Sequence, residues 1–385
     1  MRITAAKISN FRNLVETEQS FSPRVNLFLG ENGQGKTNLL EALNYFALGR
    51  SHRGARNDEL VRFGFTHLHV QLMVECEDGP GEGDMFTEKT FEYGIGRGGG
   101  RRFRIDGQAV SRRADLVGKL ATVFFSPDSV GLVRGGPEKR RRFVDQGLAG
   151  IDRFYLTHLQ AYLRALRQKT QLLRDFKKGK LQARQGRREL DAWNQKLAHH
   201  AAYIRVSRAE YARQIEPYAN QAYTGLAAED SAFKFLYKPY LANDFQTHEI
   251  QELEKEILAD FDYIMLDEIR RGRPLSGPHF DDFEVRLADR DLRTFGSQGE
   301  TRTAAISLIL AKSDVVFQVR RVRPVLFFDD IFSELDRKRS RQLQEQSCRQ
   351  HQVFIATARA EDVSGWQPEG LRAWEVKEGR LEAVA

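Results

Sequence analysis

Apolar residues repeat at two different periods along this chain, and the changes from one period to the other divide it. Near the N-terminus, "ITAAKI" (3–8) and "RVNLFLG" (24–30) read as strands. From Asn38 to Leu48 the spacing becomes helical, with Leu39, Leu40, Leu43, Tyr45 and Phe46 on the apolar side. Strand-like runs return at His67–Val74, Met85–Tyr93 and Arg101–Ile105, and Asp106-Gly107 supplies a hairpin turn, so an antiparallel β subdomain is expected. "KLATVFF" (119–125) reads as a buried strand returning to a first lobe that ends near residue 150.

Strand signals vanish between about Asp152 and Arg271. Leu156, Leu159, Leu163, Leu166, Thr170 and Leu173 alternate three and four apart, the spacing of a helical seam. A second seam runs through Leu197, Ala201, Ile204, Tyr211, Ile215 and Tyr218, broken at Arg208. The basic stretch between them reads as a hairpin tip, and at ~1.5 Å per residue each arm reaches only about 30–40 Å. After Gly272 strands resume: two short ones around Asp289-Arg290, a helix over Thr301–Phe317, the buried strand "RPVLFFDD", a helix over Asp336–Arg349, the strand "HQVFIATA" and a hairpin at Glu378-Gly379. The expected architecture is α/β: a head formed by residues 1–150 and 272–385, with an inserted helical arm at 151–271.

A chain of 385 residues, 41% hydrophobic, can hold two or three domains with real cores. Its net charge of +7 is a small excess over 53 acidic residues, so the placement of the basic residues matters more than their sum. Cys76 and Cys348 stand alone, which excludes a disulfide framework and a thiolate zinc site. No window approaches the ~20 apolar residues that span a bilayer, so a soluble, cytoplasmic protein without a membrane partner is expected.

Three stretches carry chemistry. Gly30-Glu31-Asn32-Gly33-Gln34-Gly35-Lys36-Thr37 matches the phosphate-loop pattern: glycines turn backbone N–H groups toward a phosphate, Lys36 adds a compact charge, and Thr37 offers a hydroxyl to Mg²⁺. "VLFFDD" (325–330) is a buried strand ending in acids, with Asp329 suited to Mg²⁺ and Asp330 to orienting or deprotonating an attacking water. "GSQGE" (296–300) opens an apolar helix, where Ser297 either caps the helix or, with Gln298 and Gly299, makes a second anion cradle. One cradle already serves the nucleotide, so the second suits the γ-phosphate of a nucleotide held by another copy.

Taken in order, "NFRN" (10–13), the phosphate loop, "GRSHR" (49–53), "GGPEKRRRFVD" (135–145), "SGPHFDDF" (276–283), "GSQGE" and "FFDDIFSELD" (327–336) resemble the RecF family, bacterial DNA-repair ATPases of the ABC/SMC-like class. That resemblance covers essentially the whole chain, including the short arm. It implies an ABC-type head that binds ATP and Mg²⁺, pairs head to tail on ATP binding, and hydrolyses ATP weakly and in a DNA-dependent way. It also implies non-sequence-specific binding to double-stranded, gapped or junction DNA, and work with RecR and RecO to load RecA at gaps.

Residue by residue, the resemblance gives Arg12 and Asn38 nucleotide contacts and makes Ser333-Glu334-Leu335-Asp336 the D-loop. Catalysis would fall to Lys36, Ser297 and Asp330. The usual catalytic glutamate is replaced by Asp330, one methylene shorter, which implies slow turnover; the usual switch histidine is missing, and Thr357 stands nearest its place. DNA contacts are expected from Arg101, Arg102, Arg104, Arg112 and Arg113, from Lys139, Arg140, Arg141 and Arg142, and from the arm tip, where Lys177 and Lys178 lie among Arg174, Lys180, Arg184, Arg187 and Arg188. A transporter motor fits the ATPase motifs but not the arm. A long chromosome organiser would need longer coiled coils.

Overall fold

The computed structural model describes residues 1–77, 86–180, 183–227, 232–240, 249–363 and 365–384. The chain forms two compact units. One comprises Met1–Val130, Tyr218–Ser231 and Gly296–Ala385, and the other Gly131–Pro217 and Ala232–Phe295.

The first unit holds two six-stranded sheets. In one, five strands run parallel in the order Leu371–Lys377, Val25–Leu29, Val353–Thr357, Val325–Asp329, Thr122–Phe125, and Arg380–Val384 joins antiparallel at the edge. The three central strands are buried at nearly every position, as strands covered on both faces must be, which is why they read as continuous apolar runs. The other sheet is antiparallel, with strands Thr17–Ser20, Arg2–Ser9, His67–Glu77, Phe86–Gly96, Arg101–Ile105 and Gln108–Ala109 in spatial order. Its alternating strands are the expected β subdomain; Met85 lies outside the described residues. One buried amide ties the chain's N-terminal strand to the start of the parallel strand Val353–Thr357: Gln352 Oε1 accepts the Ile3 N–H at 2.7 Å, while its Nε2 donates to the carbonyls of Ile3 and Ser22 at 2.7 Å each.

The second unit combines four longer helices, Pro137–Ile151, Arg153–Lys177, the first part of Ala183–Ala227, and Ile250–Arg271, with the small sheet Phe233–Lys238, Asp282–Leu287, Arg290–Asp291. Three expectations change here. A strand, Phe233–Lys238, lies inside the stretch read as purely helical, and it pairs antiparallel with Asp282–Leu287. That pairing holds residues 272–295 in this unit, and residues 131–150 join it through the helix Pro137–Ile151 packed on Asp282–Leu287, so the divisions at 150 and 271 do not match the compact units. The first seam is also displaced. Of its positions Leu173 is fully buried, Leu156, Leu159, Leu166 and Thr170 are half-buried and Leu163 is exposed, and the buried line is Tyr155, Tyr162, Ala165, Lys169, Leu172 and Leu173. Tyrosines and a lysine fill it because their polar ends find partners: Tyr155 donates to Asp145 at 2.5 Å, and Lys169 pairs with buried Glu268 at 2.7 Å.

The second seam is buried from Leu197 to Ile215, with Tyr218 half-buried, and its break at Arg208 is a buried charge rather than a gap. Arg208 donates to Asp145 at 3.0 and 3.1 Å and to the Pro278 carbonyl at 2.6 Å. The helix carrying it extends well past the expected arm length, over Ala183–Ala227 with Pro217 inside it. Among the described residues no helix is long and apolar enough to cross a membrane.

Candidate functional site

The phosphate-loop residues sit between the strand Val25–Leu29 and the helix Lys36–Leu48. Gly30 is required twice over: its φ is +151°, and a Cβ there would come within 2.4 Å of the Val376 carbonyl oxygen. Gly35, at φ +119°, opens the helix against the Asn13 side chain. Two neighbouring turns clamp the loop from outside. Asn13 donates to the Gly33 carbonyl at 3.2 Å and accepts from Asn38 at 2.7 Å, while Gln34 receives the N–H groups of Glu378 and Gly379 at 2.6 and 2.9 Å.

Lys36 is buried, and its ammonium donates to the carbonyls of Gly30 and Glu31 at 2.6 and 2.8 Å. Burial holds its pKa below the ordinary lysine value, against the pull of Asp330 and Asp329. Thr37 reaches across to the acid strand, its hydroxyl donating to Asp329 Oδ1 at 2.7 Å. Register explains the meeting: Val353–Thr357 lies between the loop strand and the acid strand, parallel to both, so all three C-terminal ends open to one side. Asp329 is buried, and burial raises its pKa. Asp330 sits at φ +51° with its pKa raised mainly by burial, and its Oδ1 has no hydrogen-bond partner among the described residues. One hydroxyl and two carboxylates, one of them with an unpaired buried oxygen, form an all-oxygen donor set of the kind a small hard divalent cation takes.

Around this core the structure adds residues that the motifs did not single out. Glu41, fully buried on the loop helix, accepts from Arg12 at 2.6 and 3.2 Å and from the Ser51 hydroxyl, with Arg53 3.8 Å away. Arg12 therefore commits its guanidinium to a carboxylate beside the loop. Its position at φ +50° follows the turn in "NFRN". A polar residue amid the apolar positions of the helix was the available signal for Glu41. His52, also in this cluster, is half-buried against Phe124, and desolvation lowers its pKa to about 4.

Ser297 caps the helix Gln298–Arg320 in a reciprocal box: its Oγ accepts the Glu300 N–H at 3.2 Å, and Glu300 accepts the Ser297 N–H at 2.7 Å. Ser297 and Gln298 are exposed and Gly299 is half-buried. Ser297 thus caps its helix, and a cap that faces outward leaves the helix's free N–H groups accessible. In "SELD", Ser333 donates to the Asp330 carbonyl at 2.8 Å, Glu334 pairs with Arg302 at 2.5 Å, and Asp336 caps the following helix through the Arg339 N–H at 2.9 Å. Leu335 N–H closes the short turn onto Phe332. Thr357 is fully buried and donates to Asp362 at 2.8 Å, so its hydroxyl is engaged in its own turn.

The basic candidates separate by burial. Arg101, Arg102, Arg104, Arg112, Lys139, Arg142, Lys177 and Lys178 are exposed, as are Arg174, Lys180, Arg187 and Arg188. Arg140 is not available to any outside partner: it is buried in the second unit, chelates Asp282 at 2.8 and 2.9 Å, and donates to the Gly135 carbonyl at 2.7 Å. Its expected role as a DNA contact gives way to a structural one. Arg141 is half-buried and donates to the Asp281 carbonyl at 2.6 Å. The side chains of Arg113 and Arg184 lie outside the described ones.

Comparison with known proteins places this architecture. The RecF/RecN/SMC N-terminal domain family model matches residues 2–370. The chain is 34% identical over 384 residues to the DNA replication and repair protein RecF of Heliobacterium modesticaldum, covering 99% of both chains. It is 30% identical to RecF of Staphylococcus aureus JH9, over 99% of this chain and all of that one. Among solved structures, the recombination mediator protein RecF with ATP, in the RecFOR pathway, superposes with a TM-score of 0.89 at 26% identity over the whole of this chain and 98% of its own. An Smc head bound to the C-terminal winged-helix domain of ScpA shares the fold at a TM-score of 0.57 and 13% identity, over 100% of this chain and 97% of its own. The chain belongs to the RecF family and has the ABC-type ATPase fold that family shares with SMC heads.

Proposed function

We propose that this protein is an ATP-operated switch acting on DNA in replication and repair. The observation that carries the reading is the 2.7 Å contact between Thr37 and Asp329, which brings the hydroxyl of the phosphate loop and the acid-ended strand to one point. Glycine N–H groups and Lys36 would take the β- and γ-phosphates, and Thr37 and Asp329 would hold Mg²⁺, which supplies positive charge to phosphate oxygens. Asp330, with its unpaired oxygen, would orient the attacking water. Support for ATP as the nucleotide comes from the RecF relative solved with it.

Head-to-tail pairing of two copies would set the exposed Ser297-Gln298-Gly299 helix end of one over the phosphate loop of the other. The γ-phosphate then favours the paired state because only that state contacts it from both sides. RecR, RecO and RecA loading at gapped DNA enter on family membership alone.

Asp329→Asn separates stability from function. A carboxylate whose folded pKa is raised by burial binds its proton more tightly folded than unfolded, so its ionised form subtracts stability as pH rises from the ordinary aspartate value through the raised one. At neutral pH the amide should leave the nucleotide-free protein as stable as the parent or more so, while Mg²⁺-dependent ATP hydrolysis is lost. Thermal melting and phosphate release measure the two; a destabilised variant with hydrolysis intact would contradict the assignment.

For DNA, Arg102 and Arg104 share one face of the exposed strand Arg101–Ile105, with Glu92 across from Arg104. Replacing both with serine should flatten the dependence of log affinity on log salt by about 0.9 for each phosphate no longer neutralised. An unaltered slope, measured with ATP across a salt series, would place the DNA elsewhere.

A further inference from the structure

Two helices of the second unit bring three histidines together. His158 lies on Arg153–Lys177, and His199 and His200 lie on Ala183–Ala227. Adjacent residues point about 100° apart around a helix, so His199 and His200 would not by themselves converge. The ring of His158 draws them into one group: its centroid is 5.0 Å from that of His200 and 5.5 Å from that of His199, and Tyr203 stacks on it at 4.1 Å. Nδ1 of His158 and Nδ1 of His200 are 3.2 Å apart, and one ligand nitrogen from each of the three rings lies within 4.8 Å of the others.

Two nitrogens this close share either a proton or a cation. Around a tetrahedral ion with Zn–N bonds of ~2.0–2.1 Å, neighbouring nitrogens stand about 3.3–3.4 Å apart, close to the spacing seen here. Metal-bound imidazole must be neutral, and the half-burial of His158 and His200 disfavours their charged forms. Glu254, from the third helix Ile250–Arg271, pairs with Nδ1 of His199 at 3.0 Å. A carboxylate on a histidine's nitrogen is the usual outer partner that fixes a ligand ring. His199 is exposed, which leaves an entry path and a coordination position for water.

We propose that His158, His199 and His200, oriented by Glu254, form a binding site for Zn²⁺ or a divalent transition ion of its class. The site is separate in residues and donor type from the all-oxygen set at Thr37, Asp329 and Asp330. Its effect would be to staple the helix Arg153–Lys177 to Ala183–Ala227.

Untagged full-length protein, stripped with chelator and titrated with Co²⁺, tests this. The expected result is one ion per chain, giving the visible absorption of a tetrahedral nitrogen site, displaced by Zn²⁺ and indifferent to Mg²⁺. His158→Gln and His200→Gln should each weaken binding by more than about 100-fold, and Glu254→Gln by about 10–100-fold, the range for an outer partner. Should a variant fail to fold, Zn²⁺ protection of the parent's histidines from carbethoxylation, mapped by mass spectrometry, gives the same answer without mutation. Absence of Co²⁺ absorption at millimolar ion, equal binding in the double histidine variant, or no protection of these three rings would overturn the proposal and leave a shared proton between His158 and His200.

Discussion

Lys36→Arg should yield a folded monomer that no longer pairs when ATP is added. Lys36 is buried, its ammonium 2.6 and 2.8 Å from two loop carbonyls, in a space matched to a compact point charge. A guanidinium is planar and larger, and it cannot both fit between those carbonyls and turn to the phosphates. The described hydrogen bonds of Lys36 go to loop carbonyls, and burial already disfavours its charge, so the nucleotide-free fold should survive. Ser297→Arg should give the same loss of pairing from the other side, because its long side chain would cover the exposed helix end, while the cap it removes costs only about 1 kcal/mol. Light scattering with and without ATP, beside ATP affinity for each variant, separates the two: Lys36→Arg should lose binding as well as pairing, Ser297→Arg pairing alone. Pairing that persists in both would sink the shared-site scheme.

Asp281→Ala should be the most damaging single change in the second unit. Asp281 is fully buried and is approached by Arg205 at 3.2 Å and Arg208 at 3.7 Å; it also accepts the Tyr240 N–H at 2.8 Å and the Tyr237 hydroxyl. Arg208 keeps Asp145, but Arg205 has no second carboxylate among its described ion pairs. Removing one member of a buried pair leaves an unmatched charge out of water and costs about 3–5 kcal/mol. Denaturant unfolding should show that loss, and Asp281→Asn, which keeps the acceptor for Tyr240, should lose less. A variant as stable as the parent would mean that the two arginines are better hydrated than their burial indicates.

The site and the arm were legible to different degrees, as Lys36 and Asp281 illustrate. Lys36 and Thr37 were readable because phosphate binding constrains consecutive residues, so the chemistry is written in one short segment. Asp281 lies in "SGPHFDDF", a stretch that reads from sequence only as a family marker, and its meaning depends on Arg205 and Arg208 from a distant helix. Arg140 failed as a DNA contact for the same reason: a run of four basic residues does not say which one turns inward to Asp282. The Leu seam slipped because heptad spacing assumes that apolar residues fill a seam, whereas here Tyr155, Tyr162 and Lys169 do so once partners satisfy their polar ends.

What the sequence alone determined is local: the glycine loop with its helix, the buried acid-ended strand and the alternation of the β subdomain. Each depends on backbone conformation or periodicity within a few residues. Tertiary structure alone decided that Glu41 claims Arg12, that Phe233–Lys238 finds a partner strand, and which charges are buried. Those outcomes turn on long-range pairing, where a polar group's fate is set by whether a complementary one arrives from elsewhere in the chain.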